Sequence, residues 1–367
     1  MYIGDMFSQK SRLIFLAILI FGLLGNLSAR AETQTSERSL ILAKTIHGDI
    51  SPKSVRSSGT GFVSAHNMMY RHSITVYDAK TLDLIATIKD SVKPSQFGFS
   101  DYSGTYRGAP VEGAFSPDGK FLYVTNYSMY GKGLNKEGTD ICSPADNFDS
   151  SFLYRVNTEN WKIDGIYKVG TVPKVVAVTP DNRYILVSHW CSYDLYVIST
   201  KTQNVEKVLK IGAYPRGITV SADSKYAFVA QMGGSTVHKI NLDTWKREQL
   251  SVGVNPRAIV LSPDNSTLYA TLNKSGQVVA YNLNEKKVIR KIKTGEAARS
   301  LDISSDGSAL YVVNFKSGTL SKIRVSDFQI LQEIKVCKEP IGVSFEVQNQ
   351  RVWVACYGGA IKVFDEV

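Results

Sequence analysis

Apolar and polar residues alternate with a fixed rhythm along most of the chain, and the clearest copy runs from Pro110 to Asn126, PVEGAFSPDGKFLYVTN. An apolar strand leads into a Ser-Pro-Asp-Gly turn, and a second strand follows with large apolar residues at alternate positions. That is the pattern of a β-hairpin. The unit recurs as PKVVAVTPDNRYILVSH from Pro173, PRGITVSADSKYAFVAQ from Pro215, PRAIVLSPDNSTLYATLN from Pro256 and ARSLDISSDGSALYVVN from Ala298. From Pro173 the opening residues follow at intervals of 42, 41, 42 and 42, the last reaching Pro340. A period of this size suits one four-stranded blade of a β-propeller.

Upstream the intervals lengthen. Pro52 to Pro110 is 58 residues and Pro110 to Pro173 is 63, one period plus an insertion in each case. The insertions fall at Phe97–Ala109 and Tyr127–Asp149. Blades therefore open at Pro52, Pro110, Pro173, Pro215, Pro256, Ala298 and Pro340, which makes seven. In the third, strands are expected over 175–178, 184–188, 194–199 and 204–211. The last unit ends in IKVFDEV with only three strands, whereas ILAKTIHGDISP at Ile41 to Pro52 has the shape of a fourth. The expected fold is all-β: a seven-bladed propeller of four-stranded blades over 40–367. The N-terminal strand completes the last blade, closing the ring and leaving no open sheet edge there.

The first residues read as an address. Lys10 and Arg12 precede LIFLAILIFGLL, and Ala29-Arg30-Ala31 offers a cleavage site. The expectation is a signal peptide over 1–31, a flexible tail over 32–39 and a periplasmic or secreted mature chain from Glu32. No further run reaches transmembrane length, and a monomer is expected. The four cysteines lie beyond this leader, and an even number in an oxidising compartment points to disulfides. Cys142 and Cys191 occupy matching loops of adjacent blades and are expected to pair. Cys337 and Cys356 form a second pair or remain free thiols.

Charge adds a partner class. The net charge is +10, of which +8 remains beyond residue 31, and a basic surface favours anionic partners. The residue after the blade opener is basic in five of seven blades: Lys53, Lys174, Arg216, Arg257 and Arg299. Propeller geometry brings such positions together at the channel mouth, where lysine and arginine suit carboxylate or phosphate oxygens. The plain alternative is that they bond inter-blade carbonyls. Both insertions, all four cysteines and the HWCSYD loop with His189 and Trp190 fall on the same face, so the rim of the mouth is the expected binding surface. His66 and His72 join it. Asn67, Asn126, His189, Gln231, Asn273, Asn314 and Cys356 occupy equivalent strand ends, where asparagine commonly caps loops. The histidines lack ligand spacing, and Asp140, Asp146 and Asp149 lack an EF-hand pattern, so no metal site is expected. No cofactor motif and no catalytic nucleophile or acid/base pair is visible.

FLYVTN and SPDG in a unit near 42 residues resemble the YVTN-repeat β-propellers, specifically the exported YncE-like proteins, over Leu40 to Val367. The resemblance implies the seven-bladed fold. It speaks only weakly to activity, because the architecture also serves surface-layer and periplasmic binding proteins, lactonases and the haem domain of nitrite reductases. The expected function is an exported, non-enzymatic binding protein whose mouth holds an anionic small molecule, a glycan or a protein partner. Two alternatives stay open. One is a lactonase-like hydrolase in which Arg and His polarise a carbonyl and activate water. The other, implied by the resemblance, is single-stranded DNA binding, with Tyr102 and Tyr106 stacking on bases beside Arg107.

Overall fold

The structure is a computed structural model that describes residues 34–367. The expected signal peptide and its cleavage site lie outside the described residues. Seven sheets form the ring. Six are built from consecutive strands, and the seventh takes three strands from Pro340–Glu346, Arg351–Cys356 and Ala360–Glu366 and its fourth from Leu40–Ile46. Leu40 pairs with Glu366 and Ile46 with Ile361, antiparallel. The inner strands touch their neighbours around the whole circle. In the third blade the strands are Pro173–Val178, Tyr184–His189, Asp194–Ser199 and Val205–Lys210, within a residue or two of expectation.

The hairpin turns hold through one repeated device. The hydroxyls of Ser116, Thr179, Ser221, Ser262 and Ser304 donate to the Asp two residues on, at 2.5 to 2.7 Å. The same oxygens accept the backbone N–H that opens the next strand, each at 3.0 Å. Serine, threonine and aspartate favour such local bonds to the backbone, so the turn is written into the sequence. The alternating apolar residues then meet across blades. Seven buried clusters sit one at each inter-blade contact, so every interface is a core of its own.

Two features differ from expectation. The second blade gains a two-residue strand, Ser91–Val92, paired with Tyr106 and Arg107. The expected loose tail is pinned from Thr35 onward. Thr35 N–H donates to Asp306 at 2.8 Å and Ser36 N–H to Ser308 Oγ at 2.9 Å. Lys322 Nζ, fully enclosed, donates to the carbonyls of Thr35 and Arg38, each at 2.7 Å. It also pairs with the enclosed Glu366 at 2.6 Å, and Tyr311 OH donates to the other Glu366 oxygen. The tail therefore satisfies a buried ammonium that joins the sixth blade to the seventh.

Leaving one member of a buried ion pair uncompensated costs about 3–5 kcal/mol. Lys322→Met should lower the unfolding free energy read from a urea titration by that order, and Lys322→Met with Glu366→Leu should recover most of it. Equal loss in both variants would mean the pair itself contributes little to closure.

Candidate functional site

The path into each inner strand shapes the mouth. Val172, Tyr214, Asn255, Ala297 and Glu339, each directly before a blade opener, are left-handed with φ between 51° and 58°. Non-glycine residues rarely adopt this conformation, least of all a β-branched valine. The turn delivers the second residue of each inner strand to the axis: Lys174, Arg216, Arg257 and Arg299. Lys53 precedes the corresponding strand of the first blade.

These five bases lie close enough to act on one another. Burial holds the Lys53 ammonium well below its ordinary value, and Arg216, Lys174, Arg257 and Arg299 push in the same direction. Burial and then Arg216 bring Lys174 down to about 7, against the opposing pull of Asp140. Burial lowers Arg299 to about 10. Lys174, Arg216 and Arg257 are only 5%, 6% and 6% exposed, so water screens them poorly.

Counter-charge is incomplete. Arg216 Nη2 lies 3.9 Å from Glu112, and Lys174 Nζ lies 3.2 Å from Asp140. Arg257 donates to the backbone carbonyl of Arg299 at 2.9 Å and, among the described residues, forms no ion pair, with Glu112 and Asp140 acting on it only from a distance. Arg299 stacks over Phe315 at 3.7 Å, and its Nε is buried without a partner. A cavity of about 280 Å³ runs inward between Arg56, Glu112, Arg216, Arg257, Arg299 and Asp302. Arg56 Nε is also buried and unpartnered. Asp302 sits below the mouth and accepts the Phe345 N–H at 2.8 Å. Burial raises its carboxyl, which weakens it further as an anion. Glu339 also acts on Arg299, so six bases face four carboxylates.

A second hollow of about 490 Å³ opens on the rim, lined among others by Lys53, Lys174, His72, Tyr127, Tyr130 and Tyr357. The second insertion builds one wall. Tyr130 OH donates to Glu137 at 2.6 Å and its ring stacks on His72 at 5.6 Å. Lys174 Nζ lies 4.1 Å from the Tyr127 ring centre and 5.1 Å from that of Trp190. Trp190 Nε1–H donates to the Asp140 carbonyl at 3.0 Å. The Cys142–Cys191 disulfide, Cα–Cα 5.4 Å, fastens this loop to the third blade. A small core of Cys142, Val172, Trp190 and Cys191 lies beneath it. Cys337, in the link before Pro340, is also bonded to Cys356, at the end of the seventh blade's second strand.

Several expected site residues are elsewhere. Tyr106 is 1% exposed and donates to the Lys132 carbonyl at 2.6 Å. Tyr102 packs edge-on against Phe99, Tyr106 and Phe152. The first insertion folded into the second blade because its aromatics had an apolar cluster to join, so Tyr106 offers no face to a base and the half-buried Tyr102 ring already carries the Lys168 ammonium, 5.3 Å from its centre. Arg107 is exposed and pairs with Asp90 at 3.4 Å. His66 is fully buried on Ser54 Oγ at 2.7 Å, and a Cβ on Gly113 would lie 2.2 Å from its ring. Burial depresses its pKa to about 3. His189 is likewise enclosed, with Nδ1 3.0 Å from Asp194. The His66 ring fills the space against Gly113 of the next blade, and the His189 ring lies against Gly170, Asp194 and Tyr196, so neither reaches solvent as a base. In the fifth blade the strand-end position opposite Pro256 is Leu272 rather than Asn273.

The sequence reading missed Glu112 and Arg56 and gave Asp140 another role. A signal was present. Two residues after the openers stand Ser54, Glu112, Val175, Gly217, Ala258, Ser300 and Gly342, with a single acid. Four after stand Arg56, Ala114, Ala177, Thr219, Val260, Asp302 and Ser344, with two charges among small or apolar residues. Tyr357 and Phe315 carry no such mark, being loop residues placed only by the folded ring. Among the described residues no His, Cys, Asp and Glu set gathers as a metal group. No helix there is long and apolar enough to cross a membrane.

A family model described as YNCE-like beta-propeller matches residues 67–300, more than half of the chain. No curated protein matches it.

Lys174 takes up its proton near 10.5 when the chain is unfolded and only near 7 when folded. Between those values the unfolded chain binds more protons, so stability rises with pH. The unfolding temperature should increase from pH 7 to pH 9, and Lys174→Met should flatten that rise. Removing the loop clamp with Cys142→Ala and Cys191→Ala should expose the second insertion. Limited trypsin digestion should then cut first after Lys132 or Lys136, whereas an unchanged cleavage pattern would mean the disulfide is not what holds the loop.

Proposed function

We propose that this chain, which belongs to the YNCE-like β-propeller family, is an exported binding protein whose channel mouth holds a small anionic ligand. One observation carries the reading: buried bases outnumber carboxylates, and among the described residues Arg257 forms no ion pair while Arg56 and Arg299 each keep an unpartnered nitrogen. Concentrated buried charge of one sign is costly without counter-charge. A ligand carboxylate or phosphate completes it, and arginine presents donors in the fork such groups accept. The rim hollow beside it, walled by tyrosines that already bond Glu137 and Asp140, suits the uncharged body of that ligand.

The leader-like N-terminus and the two disulfides favour an oxidising compartment. The enclosure of His66 and His189 weighs against the hydrolase reading, which needs them as bases. The burial of Tyr106 and the edge-on packing of Tyr102 against Phe99, Tyr106 and Phe152 weigh against a stacking platform for single-stranded DNA. A ligand small enough to enter the mouth is therefore favoured over a polymer lying across it.

Citrate and inorganic phosphate serve as probes. Citrate should raise the unfolding temperature, with an affinity that falls as sodium chloride rises. Arg257→Met should weaken citrate binding by roughly ten- to a hundredfold, the worth of one charge-assisted bond. In buffer free of polyvalent anions the same variant should unfold at a higher temperature, because a like charge has left a crowded mouth. A lower unfolding temperature with citrate affinity intact would make Arg257 a strut and sink the proposal.

A further inference from the structure

Lys174 differs from the four other bases of the mouth in ways that bear on reactivity. It lines the rim hollow, its side chain is only 6% exposed, and its amine sits 3.2 Å from a carboxylate, Asp140, that is itself open to solvent. Tyr127 and Trp190 flank it, so the stem has little freedom. The neighbouring charges acting on it are Arg216 from the adjacent inner strand, Arg257 from the inner strand beyond, Asp140 from the loop above and Lys53 in the same hollow. A confined amine, a proton acceptor within hydrogen-bond reach and guanidinium groups alongside are the components of an imine-forming site.

We propose that Lys174 captures the carbonyl carbon of a small 2-oxo acid as an imine, with the acid's carboxylate held by Arg216 and Arg257. This rests on the anion reading above and names the ligand class. The nitrogen lone pair of the neutral amine attacks the carbonyl carbon, and the carbonyl oxygen becomes the hydroxyl of a carbinolamine. Asp140 carries the first proton that nitrogen releases to the carbonyl oxygen, which makes that hydroxyl, and carries the second to the hydroxyl as the C–O bond breaks. One water leaves and a C=N bond remains, with no change of oxidation state. Hydrolysis reverses the steps, so the capture is reversible.

The environment supports the first step. Burial and Arg216 bring the Lys174 ammonium to about 7, so a large share of the amine is free base near neutrality. An exposed lysine such as Lys286, raised by its Glu248 partner, stays protonated there. The plain competing role is that Lys174 merely ties Asp140 and the second insertion to the third blade.

Glyoxylate and sodium cyanoborohydride test this on the whole protein at neutral pH, read by intact mass and peptide mapping. The expected result is one reduced adduct per chain, on the Lys174 peptide, at least about tenfold above any other lysine. Citrate should suppress it by competing for the arginines. Acetaldehyde, which lacks the carboxylate, should show no such preference. Arg216→Gln, which leaves Lys174 in place, should reduce labelling at Lys174 without changing that of exposed lysines. Adduct spread evenly over surface lysines, or equal preference for Lys174 with acetaldehyde, overturns the proposal. If Lys174 stays unlabelled while glyoxylate still raises the unfolding temperature, imine capture is refuted and the anion reading stands. If neither glyoxylate nor citrate moves the unfolding temperature, both fall together.

Discussion

The structure depends on closing a circle of wedge-shaped sheets without a gap. Each blade buries its apolar residues only against the next, so a missing contact anywhere leaves two sheet faces in water. The chain meets this demand by lending Leu40–Ile46 to the last blade. It reinforces the seam with Lys322, whose ammonium touches the N-terminal turn, the last strand and its own blade at once. With closure secured, the inner strands have no choice of radius. Whatever residue follows each opener must arrive at the mouth, and five of seven are bases.

That arrangement works against stability twice. Five residues before the openers occupy the left-handed region, and the bases behind them repel one another. Neither feature would survive in a loosely held loop. Here the seven inter-blade cores over-determine the backbone, so local strain and repulsion persist. Strain and charge gathered at one end of a rigid scaffold are what a preorganised binding site requires.

Much of this is written locally. The hydroxyl-to-aspartate bonds of the turns involve residues two apart, so SPDG and its variants reveal both strands of each hairpin. The basic residue after each opener follows from the same register. Tyr102 and Tyr106 were misread because composition does not say whether an aromatic loop faces water or folds onto a neighbour. His66 and His189 were misread because a histidine at a strand end looks the same whether its neighbours cover it or not. Glu112 and Asp140 act through partners 104 and 34 residues away, Arg216 and Lys174, and only the closed ring brings such residues together.

The disulfides carry a consequence for how the protein is made. Cys142 joins Cys191 and Cys337 joins Cys356, so each thiol bonds to the next one along the chain. A chain emerging from its N-terminus meets the correct partner first on both occasions. Oxidation in order of appearance yields the native pairs, and reshuffling of mismatched bonds is not needed. The first bond forms within the span from the second blade to the third, before the ring exists. The second ties the link that enters the last blade to that blade's second strand.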